Sequence, residues 1–175
     1  MKIQLSKILI VFTILLCFEN YAQTTSTYSS NIITSEDLKT ILGKWTGSLT
    51  YVDYRSNKPY TMPANVNVKQ GKNENQLTLL ITYPNEPKAN SKDKIKLSQD
   101  GKKLNKKEVK TKQDMNSGQI QITTEYFGKD NNKEALIRDI YILGEKKFVI
   151  RKEVKFETSK EWLKRNEYNF TRLFN

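Results

Sequence analysis

The sequence predicts an all-β fold, an antiparallel up-and-down β-barrel of about eight to nine strands with a short helix on its N-terminal side. Three observations lead there. Apolar and polar residues alternate with a period of two in one run after another, as in "LTLLITY" from Leu77 to Tyr83. Groups rich in Gly, Pro, Asn and Asp separate these runs at short intervals. The intervening stretches lack the length and the 3.6-residue periodicity of the crossover helices that a parallel sheet requires.

Taken in order, "SEDLKTIL" from Ser35 to Leu42 is the one helical stretch. Ser35 suits the N-cap, Glu36 and Asp37 suit the first turn, and Leu38, Ile41 and Leu42 share a face. Gly43 stops it. Strand patterns follow in Trp45–Leu49–Tyr51, Leu77–Leu79–Ile81–Tyr83, Ile120–Ile122–Tyr126, Phe148–Ile150–Val154–Phe156 and Tyr168–Phe170–Phe174. Turns are expected at Asn57-Lys58-Pro59, Gly71-Lys72-Asn73, Pro84 to Pro87, Asp100-Gly101, Ser117-Gly118, Gly128 to Asn132 and Gly144-Glu145.

Residues 1–23 have the layout of a secretory signal peptide. Lys2 and Lys7 precede the apolar run Ile8–Phe18, and Ala22 sits near a cleavage point. The run is short for a membrane span. Leu16 before Cys17 does not suit lipidation, so a lipoprotein is the weaker option and a periplasmic or secreted protein the expected one. A polar lead is expected over 24–34 and a single barrel domain over 35–175. Cleavage would remove Lys2, Lys7, Glu19 and the only cysteine, lowering the net charge from +11 to +10.

The 175-residue chain has no histidine. Together with the loss of Cys17, this excludes a Ser-His-Asp triad, a Cys-His pair, a zinc site of the usual N/S type, haem ligation by His and any internal disulfide. No catalytic residue, metal site or cofactor is expected. Asp53 and Glu125 are the only carboxylates on strands that invite an enzymatic reading, and nothing pairs them, so that class ranks last.

Lys88 to Lys112 holds ten lysines and three acids, with neither arginine nor aromatic residue. Nucleic-acid binding needs stacking rings or Arg forks, so it is not expected. The segment reads as an exposed hairpin turning at Asp100-Gly101, its lysines discouraging edge pairing and offering weak contact with anionic envelope surfaces.

Gly43-Lys44-Trp45 at the start of the first strand, with Arg172 near the end of the last, resembles the calycin superfamily of lipocalins and fatty-acid-binding proteins. The resemblance implies a barrel in which Trp45 plugs the closed end and Arg172 lies across its ring. The second lipocalin motif has only a faint echo in "RDIY" at Arg138 to Tyr141. The histidine of nitrobindin-like haem sites is absent, so no ligand is implied.

Parity places Gly47, Leu49, Tyr51 and Asp53 on the face of Trp45. Leu136, Arg138, Ile140 and Ile142 share a face, as do Phe148, Ile150, Lys152, Val154 and Phe156. Arg138 and Lys152 thus interrupt apolar stripes. They either snorkel or pair with a carboxylate such as Asp53, or they form a cationic site with Tyr51 and Tyr126 for an acidic head group. The expected function is an exported binder of a small, partly apolar, anionic molecule. The alternative is an envelope interaction or inhibitor protein whose barrel is filled.

Overall fold

The computed structural model describes residues 31–173. The signal-peptide segment, Cys17 and most of the expected lead lie outside these residues. From Asn31 onward the chain packs against the barrel. Ile33 is buried and donates its N–H to the Gly101 carbonyl at 3.0 Å. Thr34, one residue before the expected cap, forms a reciprocal capping box with Asp37 at the start of helix α1 (Ser35–Lys39).

Ten strands follow, slightly more than expected. They are β1 (Gly43–Val52), β2 (Pro59–Gln70), β3 (Gln76–Thr82), β4 (Ser91–Lys96), β5 (Lys103–Leu104), β6 (Lys107–Met115), β7 (Gln119–Asp130), β8 (Lys133–Leu143), β9 (Lys147–Phe156) and β10 (Leu163–Arg172). Every ladder is antiparallel and chain neighbours pair, with β10 returning to β1. The circle is nearly closed at β4 and β5 by a single bridge, Leu97–Leu104, supported by the Asn105 N–H on the Lys96 carbonyl at 2.7 Å.

The extra strands come from the lysine-rich segment. It is not a free hairpin: Ile95, Leu97 and Leu104 are buried in the core, and the segment supplies β4, β5 and the start of β6. Alternation explains this, because one residue in two can be apolar and inward while lysines fill the outward positions. The turn at Asp100-Gly101 does form, with Gly101 at φ 71°.

At one end, α1 serves as a floor. Leu38 and Ile41 are fully buried, and the Trp45 indole N–H donates to the Ile41 carbonyl at 2.8 Å. Arg172 lies 4.2 Å from the Trp45 ring and donates to the carbonyls of Leu42, Thr40 and Glu145. Phe148 meets Trp45 edge-on at 5.8 Å, and Phe170 follows at 5.6 Å from Phe148. Gly47 is required here, since a Cβ would sit 2.0 Å from the Asn169 carbonyl oxygen of β10.

Candidate functional site

Paired residues of antiparallel strands share a face, so the registers give the barrel lining row by row. Nearest the floor run Ala64, Gly47, Phe170, Phe148, Leu143 and Ile120. Two residues further along each strand come Met62, Leu49, Tyr168, Ile150, Tyr141 and Ile122. The next row is Tyr60, Tyr51, Asn166, Lys152, Asp139 and Thr124. The lining therefore changes from apolar to polar along one register row, on the four adjacent strands β10, β9, β8 and β7.

Leu49, Ile150 and Tyr168 point inward from mid-strand yet remain only partly buried. On the same row Met62, Tyr141 and Ile122 are buried, and the Tyr168 hydroxyl is met by that of Tyr83 at 2.6 Å. Below it the lining is packed. The aromatic packing is densest at the floor, around Trp45, Phe148 and Phe170.

The polar row carries several interactions. Asp130, at the end of β7, is fully enclosed and accepts from Lys152 at 2.9 Å, the Tyr54 hydroxyl at 2.8 Å and Arg165 at 2.6 Å. Burial alone would raise its pKa, but these three donors outweigh burial and hold it below the usual carboxylate range. Tyr54 belongs to the β1–β2 loop, and β7 stands four places from β1 around the sheet. The Tyr54–Asp130 bond is thus a strap across the barrel mouth, and the Arg165 guanidinium stacks 4.6 Å from the Tyr54 ring.

Asp139 is different. Burial pushes its carboxyl up, against the pull of Lys152, Lys107 and a hydrogen bond with Tyr126. Tyr126 in turn is pushed up to about 12 by burial and by the Asp139 charge. Tyr141 is also raised by burial, and its hydroxyl accepts from Asn105 at 3.2 Å. Tyr168 is raised by burial and bonds Tyr83 at 2.6 Å. Thr124, 1% exposed, has a buried hydroxyl with no hydrogen-bond partner. Lys107 shares the face of buried Leu104, and its ammonium sits 3.5 Å from the centre of the Tyr126 ring.

Of the residues singled out by sequence, Lys152 faces inward but is paired with Asp130. Tyr126 lines the interior one step above the polar row. Tyr51 faces inward at the rim and is 36% exposed. Arg138 requires a correction. It lies on the outer face, bonded to Glu153 and stacked 4.1 Å from Trp162. The face it shares with Ile140 and Ile142 is external, where those two form a separate buried group with Val149. Both faces of β8 are apolar, so alternation alone chose the wrong one. Asp53 pairs with neither cation, and instead accepts from the N–H groups of Arg55 and Ser56 at 2.8 Å, shaping the β1–β2 turn. Glu125 faces outward, paired in register with Arg138.

Sequence reasoning missed Asp139, Thr124, Asp130 and Lys107. A signal existed for the first. The Asn131-Asn132 turn, with φ 48° and 64°, is a two-residue hairpin that pairs Asp130 with Lys133. Counting back from it puts Tyr126 opposite Ile137, and so Asp139 rather than Arg138 inside. Among the described residues no three Asp, Glu, Cys or His side chains converge to hold a metal ion, and no helix is long and apolar enough to cross a membrane.

No known protein family matches the chain, and no curated protein matches it. Among solved structures it is similar to the crystal structure of Rv2717c from M. tuberculosis, with 10% identity and a TM-score of 0.47, over 82% of this chain and 99% of that one. It is also similar to a protein of unknown function from the DUF3598 family of Nostoc punctiforme, with 8% identity and a TM-score of 0.36, over 81% of this chain and 50% of that one.

Proposed function

We propose that the protein is exported, that its barrel is hollow above the packed floor, and that it binds a small, partly apolar, anionic molecule in that hollow half. The change of lining from apolar to polar at one register level carries this reading. A barrel selected only for stability gains nothing from inward Thr124, Asp139, Lys152 and Asn166, because each buried polar group costs free energy unless fully bonded. The partly buried row of Leu49, Tyr168 and Ile150 suits an apolar body, and the cations above it suit an acidic head.

Export is supported by the pattern of residues 1–23. N-terminal sequencing of the natural product should find a start between Ala22 and Thr24, whereas an acylated Cys17 would replace this with a lipoprotein. Binding is tested by titrating a fluorescent fatty acid into the protein and displacing it with unlabelled acids. If the protein takes up no amphiphile, the second reading stands: an envelope interaction protein, favoured by the packed floor and by the outward lysines of β4 to β6.

A further inference from the structure

The hollow half has a floor in α1 and a roof in the Tyr54–Asp130 strap, but its wall is incomplete. β6 is laddered to β7 only as far as Val109–Thr124, so residues 125–130 of β7 have no partner on that side. β3 is laddered to β2 only from Asn65 to Gln70, which leaves residues 59–64 of β2 without a β3 partner. β4 and β5 form no ladder and meet at the Leu97–Leu104 bridge, flanked by the Lys96–Asn105 and Ser98–Lys103 hydrogen bonds. The strands that would fill the gap are short: β5 has two residues, and β6 begins at Lys107, after the tight Asn105-Lys106 turn with φ 50° and 68°. The strand ladder is thus interrupted between β2, β4 and β7 above that turn, and we infer a side window there with the turn as its lower lip.

We propose that this window is the ligand's entrance and that Lys107 on its lip takes the ligand's acidic group, with Thr124 as the second contact. The inference rests on the binding reading above and adds to it the route and the residue that recognises the head group.

Lys107 is the cation best placed for the task. Lys152 and Arg165 are held by Asp130, and both lie under the strap. Among the described residues the Lys107 ammonium has no carboxylate within ion-pair distance, and its close contact is the Tyr126 ring. An ammonium resting on an aromatic face gains a charge-assisted hydrogen bond when a carboxylate arrives. Thr124 lies on the same face as Tyr126, two residues nearer the floor, and its unpartnered hydroxyl is left costly until something bonds it. Asp139 faces the same space from β8, where Lys152, Lys107 and the Tyr126 hydroxyl all draw on its carboxylate without an ion pair to Lys107.

Free strand edges can also recruit an extended peptide. Here Lys92, Asp93 and Lys94 on the β4 edge are all exposed, the arrangement that discourages edge pairing. A small acid fits the window better than a strand does.

The test uses 11-(dansylamino)undecanoic acid and the corresponding dansylated alcohol, in a Cys17→Ser background that leaves no native cysteine. Lys106→Cys places a thiol on the lip and Lys58→Cys places one in the β1–β2 loop at the roof. Each is capped with a bulky polyethylene glycol maleimide, and association is followed by stopped flow. Capping at position 106 should slow association of the acid about tenfold or more, and capping at position 58 should change it less than about twofold. Lys107→Met should weaken the acid about tenfold and remove its advantage over the alcohol. The reverse capping pattern, or an undiminished preference for the acid in Lys107→Met, overturns the window and its lysine while the binding reading survives. If the unsubstituted protein binds neither probe, the binding reading falls and takes this proposal with it.

Discussion

The two ends of the barrel are built from the same strands and obey different rules. On β9, Phe148 and Ile150 give way to Lys152, on β8 Leu143 and Tyr141 give way to Asp139, and on β7 Ile120 and Ile122 give way to Thr124. At the floor, aromatic rings fill the space and each polar atom is satisfied locally, as with the Trp45 N–H on Ile41. Near the mouth, charges compensate one another across the lumen and one hydroxyl is left over. The difference separates stability from function: the floor stabilises the fold at low polar cost, and the mouth spends part of that stability on a polar lining.

That contrast fails first if the floor is not where the stability lies. Trp45→Ala should cost about 3–5 kcal/mol, the range for deleting a large buried aromatic, read from urea melts. A variant that melts like the original would remove the plug from the account. Arg172→Met should cost less, about 1–2 kcal/mol, since it forfeits bonds to three carbonyls but keeps part of the packing on Trp45.

At the mouth, the two aspartates should respond to pH in opposite senses. Asp130 is held below its ordinary pKa, so its contribution is complete above the usual carboxylate range and is lost as pH falls through its folded value. Asp130→Asn should therefore destabilise by about 3 kcal/mol near neutral pH, because it leaves Lys152 and Arg165 without their carboxylate, and the deficit should shrink in acid. Asp139 is raised, so between the ordinary value and its own the folded state binds more protons than the unfolded one. Stability then falls as pH rises through that window. Asp139→Asn should flatten the fall and melt higher than the original near neutral pH. Melts of both variants across the acid range check the signs, and matching slopes would mean the two carboxylates share one environment.

The floor was legible in the sequence because its signals are local. Gly43-Lys44-Trp45, the capped helix and the period-two runs each depend on a few neighbouring residues. The mouth was not, because its geometry is set by register and by distance. Asp130 meets Tyr54 across 76 positions of chain. Lys107 lies in a lysine run that composition assigns wholly to solvent, although the Leu104–Lys107 pairing turns it inward. On β8, with both faces apolar, parity had no contrast to read, and only the Asn131-Asn132 turn could fix the phase.

The smallest expected effect is also the cleanest separation of inside from outside. Arg138 and Lys152 read alike in the sequence, each a cation in an apolar stripe, but they stand on opposite sides of the wall. Arg138 is 27% exposed on the outer surface, where its ion pair with Glu153 contributes no more than about 1 kcal/mol after solvent screening. Arg138→Met should therefore bind a fluorescent fatty acid within about twofold of the original. Lys152→Met removes a lumen charge and leaves Asp130, still bonded by Tyr54 and Arg165, with one cation fewer to offset it. It should weaken the same probe while leaving a neutral analogue little changed. A titration in which Arg138→Met loses affinity and Lys152→Met does not would put the ligand on the outer face of β8, against Trp162, and the hollow half of the barrel would then have no part in binding.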